Sequence, residues 1–266
     1  MAKLKNDKYY TPIKLAQYCV NKTKEVIGEQ NITEYIEPSG GNGVFLDFLP
    51  KNTYSCDIEP EDDRIIKQNF LTLDIEYKKG RCIIGNPPYG TKNNLTRAFY
   101  NKSCEIGDYI SFILPISQWN NSVSLYKFDL IYSEKLGNIF FTDREVPCCF
   151  NIYKRNKSGE LNKPIKYNLD DVDIIELRNN KNFKKYNGFD YDFAICAWGS
   201  IGKEVKCPNE YTKEFYFVIH NKQLKDIIIQ LLKTTKWSDI YPMTATPNLL
   251  QWQVYKYLKE QIKDIK

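Results

Sequence analysis

Residues 83–90 read Ile83-Ile84-Gly85-Asn86-Pro87-Pro88-Tyr89-Gly90, an apolar run that ends in a rigid polar turn. The two isoleucines indicate the end of a buried strand. The two prolines remove two backbone donors and fix two φ angles. The carbonyls of the turn and the amide of Asn86 are therefore left as acceptors at the carboxyl end of the strand, where open parallel sheets bind ligands. With Tyr89 beside these acceptors, the turn suits a planar group that carries an amino group.

A glycine-rich segment lies upstream of this turn, after the predicted strand Glu34–Glu37. It reads Pro38-Ser39-Gly40-Gly41-Asn42-Gly43 and runs into Val44-Phe45-Leu46, which we expect to open a helix. Such a strand, turn and helix let a ligand approach backbone N–H groups at the amino end of the helix. The segment is neither the G-x-G-x-x-G fingerprint nor a phosphate-binding loop, which needs a lysine.

The strand predicted next, at 53–56, ends in Asp57. An acidic residue at this position binds ribose hydroxyls in nucleoside-binding sheets. An ordinary turn carboxylate is the alternative interpretation of Asp57.

The amino-terminal segment Lys8-Tyr9-Tyr10-Thr11-Pro12 precedes a predicted helix. Thr11 is a suitable N-cap and Pro12 a suitable first helical residue. Apolar residues recur at spacings of three or four from Ile13 to Ile27, and Gly28 stands where a glycine ends a helix. The tyrosines could also form an aromatic wall beside a ligand.

Strands and helices alternate through the first part of the chain. Further strands are predicted at Arg81–Gly85 and Tyr109–Pro115, a short apolar element at 65–71, helices at 95–106 and 122–133, and a hairpin from 136–141 and 146–153. This order predicts an α/β fold, a Rossmann-like and mostly parallel sheet with an antiparallel edge hairpin.

The pattern changes after the polar, basic segment 154–164, which is the best linker candidate. Strands near 174–177, 192–198 and 215–219 and helices near 224–232 and 249–262 predict a smaller α+β domain. We therefore divide the chain into domains at 1–155 and 156–266. Two loops of the second domain combine cations with amides or glycines, a composition that suits contacts to phosphates and base edges. The candidate nucleic-acid-binding residues in these loops are Arg178, Lys181, Lys184, Lys185 and Lys203. An ordinary surface loop and a plain hairpin turn are the alternatives.

Bulk properties narrow the classes of protein. The chain has 266 residues, is 42% hydrophobic and carries a net charge of +5, which fits a phosphate-rich partner and equally a lysine-rich surface. No apolar run is long enough for a membrane span or a secretion signal. The eight cysteines contain no C-x-x-C pair and indicate reduced core residues of a cytosolic protein, and the single histidine gives no basis for a metal site or a Ser-His-Asp triad.

Together these motifs resemble the S-adenosylmethionine-dependent amino-methyltransferases, specifically the DNA adenine-N6 group. That group has an aromatic-Thr-Pro segment, a glycine-rich loop and an Asn-Pro-Pro-Tyr tetrad in this order, followed by a target-recognition region. The resemblance covers about residues 8–155. It implies a class I methyltransferase sheet, S-adenosylmethionine as the cofactor and double-stranded DNA as the partner. RNA adenine and protein-glutamine methyltransferases share the tetrad, and RNA remains the main alternative.

The resemblance also implies roles for individual residues. The cofactor would be held by Tyr10, Thr11, Pro12, Glu37, Ser39, Gly40, Gly41, Gly43, Asp57, Ile58, Asn69, Phe70 and Asn86. The first three would border its methionine end, Glu37 and the glycine loop its amino-acid portion, Asp57 its ribose, and Ile58 its adenine ring. Many relatives have an Asp-Phe pair where this chain has Asn69-Phe70, and an asparagine can still meet an adenine edge.

Catalysis would fall to Asn86, Pro87, Tyr89 and Phe141. A flipped-out adenine would stack on Tyr89 and on Phe141, with Phe140 as the competing choice for the second ring. The oxygen of the Asn86 side chain and the carbonyl of Pro87 would accept hydrogen bonds from the amino group of the base.

Overall fold

The computed structural model describes residues 10–141, 144–179, 186–242 and 246–266. Its contacts divide the chain into two compact units, Met1–Ile165 and Lys166–Lys266. The polar segment 154–164 packs on the first unit, because Arg155 donates to the carbonyl of Cys104 and forms an ion pair with Asp108. The backbone N–H of Asn162 likewise donates to the carbonyl of Lys127.

A seven-stranded sheet forms the centre of the first unit. Its strands are β1 (Glu34–Glu37), β2 (Tyr54–Asp57), β3 (Ile66–Lys67), β4 (Arg81–Gly85), β5 (Tyr109–Pro115), β6 (Asp129–Phe141) and β7 (Arg144–Lys154). They lie in the order β3-β2-β1-β4-β5-β7-β6, and the first five are parallel. Strand β7 runs antiparallel to β5 and forms the edge hairpin with β6. The predicted Rossmann-like fold class with an antiparallel edge hairpin is confirmed.

Two helices cover the two faces of this sheet. Alternate residues of β4 divide between two cores: Ile84 packs with helix α1 (Ile13–Ile27), and Ile83 with helix α2 (Asn94–Ile106). Every residue of β4 and β5 is buried, as expected for parallel strands covered on both sides. The predicted helices at the amino terminus and at 95–106 are confirmed.

Two predicted helices of the first unit are wrong. The residues after the glycine loop form consecutive turns, in which the N–H of Leu46 donates to the carbonyl of Gly43 and that of Phe48 to Phe45. Only six residues separate Gly43 from Pro50, too few to repay the cost of helix nucleation, and a proline disfavours helical geometry in the residue before it. The segment 122–133 begins as turns and continues into β6, because pairing with β7 outweighs its local helical spacing.

The start of α1 also differs from the prediction by one residue. Pro12 occupies the N-cap position with an extended backbone, and its carbonyl accepts from Leu15 and Ala16. Thr11 therefore lies outside the helix, and its hydroxyl makes no cap bond. Gly28 ends the helix with φ +81°, as predicted.

The second unit has its own small sheet and helices. Strand β10 (Lys213–Ile219) lies between β8 (Val172–Arg178) and β9 (Phe193–Cys196), antiparallel to both. The helices are α3 (Lys225–Thr234), the single turn α4 (Trp237–Ile240) and α5 (Gln251–Gln261). This arrangement confirms the predicted antiparallel sheet and the two longer helices. Across the described ranges of both units, no helix combines the length and the apolar character that crossing a membrane requires.

Candidate functional site

A cavity of about 260 Å³ lies beside the carboxyl ends of β1, β2 and β4. The strand order reverses between β1 and β4, and a sheet of this kind binds its ligands at such a switch point. The volume is close to the lower end of the range of about 300–1,000 Å³ for small-molecule sites. The predicted site residues that line it are Tyr10, Ser39, Gly41, Asp57, Ile58, Asn69, Phe70 and Asn86.

The other site residues predicted in the first unit are not part of the cavity lining. Among them, Thr11, Glu37, Gly40, Gly43, Pro87, Tyr89 and Phe141 are buried, whereas Pro12 is exposed. The cavity wall also contains residues that sequence reasoning missed: Pro38, Gln68, Leu71, Pro88, Leu95 and Phe99. Leu95 and Phe99 could have been found, because they are four residues apart on the helix that follows the tetrad and therefore share a face.

The glycine loop is held against β2 by backbone contacts. The N–H of Gly40 donates to the carbonyl of Cys56 at 3.1 Å, and a Cβ on Gly40 would lie only 2.4 Å from Ser55 Oγ. Gly41 has φ +54° and open space around its Cα. Packing against Ser55 therefore disfavours any side chain at position 40. At position 41 glycine is favoured for a different reason, because the backbone there has a positive φ angle.

Asp57 fixes the same loop from the end of β2. Its Oδ2 accepts from the N–H of Gly41 at 2.9 Å, and its Oδ1 accepts from the N–H of Glu59 at 2.8 Å. The N–H of Glu61 in turn donates to the carbonyl of Gly41. A carboxylate has about four acceptor positions, so these bonds are compatible with a further bond to a ligand hydroxyl.

Glu37 is a carboxyl group buried at the end of β1. Glu37 is only 1% exposed, and Ser55 Oγ donates a hydrogen bond to its Oε2 at 2.9 Å. Burial raises the pKa of Glu37 to about 8, against the weaker opposing effect of the Ser55 bond. The carboxyl therefore holds a proton at neutral pH, although the charge of Arg64 partly opposes the effect of burial.

Apolar side chains form the far part of the cavity. Ile58 is 52% exposed at its rim, and the buried ring of Phe70 stacks on Phe99 with a centroid distance of 5.3 Å. Asn69 Oδ1 accepts from the N–H of Leu71 and caps the short 3₁₀ turn Phe70–Thr72. A flat apolar ligand fits between such surfaces.

Tyr10 bridges the amino-terminal segment and the loop that follows β2. Its hydroxyl donates to Glu61 Oε1 at 2.5 Å, while its side chain lines the cavity. Because Glu61 is also tied to Gly41, this bond connects three segments around the cavity.

Hydrogen bonds to three other described residues help to fix Asn86. Its Nδ2 donates to Thr11 Oγ1 at 3.2 Å, its Oδ1 accepts from the Tyr89 hydroxyl at 3.1 Å, and its backbone carbonyl accepts from Ser39 Oγ at 3.2 Å. The Tyr89 ring is buried, and its hydroxyl also lies 3.4 Å from Cys148 Sγ. The tetrad is therefore linked to both the amino-terminal segment and the glycine loop.

The hairpin residues Phe140 and Phe141 have opposite environments. Phe141 is fully buried in the core that includes Tyr89, so its ring presents no face to a ligand in this arrangement. Phe140 is 62% exposed near the tip of the β6–β7 hairpin. Of the two rings, Phe140, the competing choice, is the exposed one in this arrangement.

The cationic residues predicted to bind nucleic acid belong to the second unit. Lys181, Lys184 and Lys185 lie outside the described residues. Arg178 forms an ion pair with Glu176 at 2.6 Å and lines a small cavity together with Trp198 and Lys213. Lys203 is exposed, with its ammonium 5.9 Å from the centre of the Tyr211 ring.

Comparison with solved structures finds chains of similar fold at low identity. A Pyrococcus horikoshii protein, provisionally assigned as an RNA methyltransferase, is 14% identical over 58% of this chain and 90% of its own, with a TM-score of 0.46. The 23S rRNA methyltransferase ErmE is 14% identical over 56% of this chain and 70% of its own, with a TM-score of 0.42.

A methyltransferase subunit of a type I restriction-modification system, from Streptococcus thermophilus, is 13% identical. The match covers 57% of this chain and 47% of that subunit, with a TM-score of 0.44. Neither a protein-family model nor a curated protein sequence matches the chain.

Proposed function

We propose that this chain transfers a methyl group from S-adenosylmethionine to the exocyclic N6 of an adenine in DNA. The observation that carries the proposal is the position of Asn86. Its side chain lines the same cavity as the glycine loop and Asp57, at the point where the strand order reverses. A methyl donor and an amino group that receives the methyl would thus meet at one end of the sheet.

The cavity lining fits the donor group by group. Asp57 offers carboxylate oxygens to the ribose hydroxyls, and Ile58 with Phe70 offers apolar surface to the adenine ring. The loop of Ser39 and Gly41 would receive the amino-acid portion. When bound, S-adenosylmethionine supplies an activated methyl group on a positively charged sulfur.

Asn86 and Pro87 would prepare the amino group that receives the methyl. The exocyclic nitrogen of adenine is a poor nucleophile, because its lone pair is delocalised into the ring. Two acceptors, Asn86 Oδ1 and the Pro87 carbonyl, would bind its two N–H groups and turn its lone pair toward the methyl group. Transfer would form the N–C bond as the sulfur–methyl bond breaks, leaving S-adenosylhomocysteine, and one N–H proton would pass to solvent. As the nitrogen becomes positive in the transition state, these dipoles would stabilise it more strongly.

An adenine in duplex DNA must leave the base stack before it reaches Asn86, at a cost of a few kcal/mol. Aromatic stacking offsets this cost by about 1–3 kcal/mol per base. Phe140 has an exposed ring on the hairpin, whereas Tyr89 is only 6% exposed and would offer a face to the base only after its ring turned out of the core. The second unit contributes cations such as Arg178 and Lys203 that would bind phosphates.

The test is transfer of labelled methyl groups to a defined polymer. The protein is incubated with methyl-labelled S-adenosylmethionine and, in parallel, with double-stranded DNA, with RNA and with protein. The polymers are then digested and the labelled product is identified by mass spectrometry. We expect N6-methyldeoxyadenosine from DNA, and we expect Asn86→Ala to abolish transfer while calorimetric cofactor affinity stays within a few-fold.

The product decides between the alternatives that share the tetrad. Labelled N6-methyladenosine from RNA alone would move the substrate to RNA, and labelled glutamine would move it to protein. Loss of cofactor binding in Asn86→Ala would mean that the tetrad had been given the wrong role. Absence of cofactor binding by the wild-type protein would refute the proposed reaction.

A further inference from the structure

We propose that Thr11 is a positioning residue whose hydroxyl holds the Asn86 amide with its oxygen toward the amino group of the substrate. This inference rests on the proposed function. It differs from the role in binding the methionine end of the cofactor that the resemblance implies for Thr11. It rests on two observations: the hydrogen bond between the two side chains, and the position of Thr11 behind the cavity wall rather than in it.

Thr11 is available for this task because the helix does not use it. Helix α1 begins at Ile13 and has Pro12 at its N-cap, so the Thr11 hydroxyl makes no cap bond. The residue is 7% exposed and is absent from the cavity lining. Its Oγ1 lies 3.2 Å from Asn86 Nδ2, within hydrogen-bond distance.

The Asn86 amide needs such a partner because its last torsion angle is poorly fixed by its own geometry. The terminal torsion of an asparagine side chain has a broad energy profile, unlike the staggered wells of aliphatic torsions. The Ser39 bond holds the backbone carbonyl of Asn86 but does not restrain the amide group. A bond to Nδ2 therefore acts directly on the angle that aims Oδ1.

The bonds at the two ends of the amide differ in one important respect. Tyr89 donates to Oδ1, the oxygen that would accept from the substrate, so the tyrosine and the substrate share one acceptor atom. Thr11 binds the nitrogen end. Its bond can therefore persist while the substrate amino group approaches, binds and is methylated.

Replacement of the hydroxyl by a methyl group separates positioning from volume. In Thr11→Val the Asn86 Nδ2 loses its bond to the Thr11 hydroxyl. The amide is then held less firmly, and its rotation would move Oδ1 away from the substrate. A displacement of about 1 Å in a reacting group can reduce turnover about a hundredfold. We expect a 10–100-fold lower kcat, with cofactor affinity within about threefold of the wild type.

The experiment compares Thr11→Val with two further variants. Thr11→Ser retains the hydroxyl, and we expect its kcat to remain within about threefold of the wild type. Thr23→Val is the matched control: Thr23 is fully buried in helix α1, and its hydroxyl donates only to the backbone carbonyl of Cys19 among its described bonds. We expect its kcat and KM to equal those of the wild type. Cofactor affinity is measured by calorimetry for all variants.

Each outcome decides one question. A Thr11→Val enzyme with a kcat within twofold of the wild type, or a Thr11→Ser enzyme as impaired as Thr11→Val, would overturn the positioning role. A loss confined to cofactor binding would overturn it as well, and would return Thr11 to the cofactor site. Absence of methyl transfer to adenine by the wild-type protein would instead refute the proposed function on which the inference rests.

Discussion

Replacement of Glu37 by glutamine tests the buried proton at the end of β1. Burial raises the pKa of Glu37 from its usual 4.5 to about 8. Between these two pH values the folded protein binds more protons than the unfolded chain, so the free energy of unfolding decreases as the pH rises. One pKa unit corresponds to about 1.4 kcal/mol, and a shift of roughly 3.5 units gives at most about 5 kcal/mol.

The sign of this effect is the opposite of that for a carboxylate in an ion pair. The stabilising contribution of Glu37 is fully present below pH 4.5 and is lost as the pH rises to about 8. Glutamine resembles the protonated acid and can still accept from Ser55 Oγ, but it does not ionise. We therefore expect Glu37→Gln to match the wild type near pH 5 and to be several kcal/mol more stable than it near pH 9.

Urea unfolding at a series of pH values measures this difference, with Glu34→Gln as a control on the same strand. Burial disfavours ionisation of Glu34, but bonds from Arg81 and Lys78 outweigh it and hold its pKa below 4.5. Its replacement should therefore reduce stability at neutral pH. Parallel wild-type and Glu37→Gln curves between pH 5 and 8 would refute the buried proton.

Substitutions at three further positions test the site. Gly40→Ala should lower the free energy of unfolding by about 1–3 kcal/mol, because its Cβ would lie 2.4 Å from Ser55 Oγ; an unchanged urea midpoint would contradict this. Asp57→Ala should weaken S-adenosylhomocysteine binding about 10–100-fold, because charged hydrogen bonds to the ribose would be lost. A calorimetric affinity within twofold of the wild type would exclude ribose binding by Asp57. Tyr89→Ala should reduce kcat more than tenfold and DNA affinity much less, whereas Tyr89→Phe should retain most of the turnover; equal losses in the two variants would argue against stacking.

The strands around the site were predictable because their signals are local. Arg81–Gly85 and Tyr109–Pro115 are rich in apolar residues, and both form strands with these bounds. The two prolines that follow Arg81–Gly85 have restricted backbones, which indicated a turn at the carboxyl end of that strand. Motif order then indicated eight of the residues that line the cavity, among them Ser39 and Asn86.

The errors arose where distant pairing or side-chain packing decides the outcome. The helix predicted at 122–133 is replaced in part by β6, because its partner strand β7 lies farther along the chain and does not affect local periodicity. Phe140 and Phe141 are adjacent in sequence, and only the fold determines that one is exposed and the other buried. The Thr11–Asn86 bond joins residues 75 positions apart, and no short-range pattern indicates it.

The two units bury separate sets of apolar side chains. In the second unit, Phe215, Phe217 and Leu258 belong to one core cluster whose members all come from that unit. The cores against the central sheet likewise draw only on the first unit. Surface loops around the second core can therefore change in sequence without altering the packing that shapes the cavity.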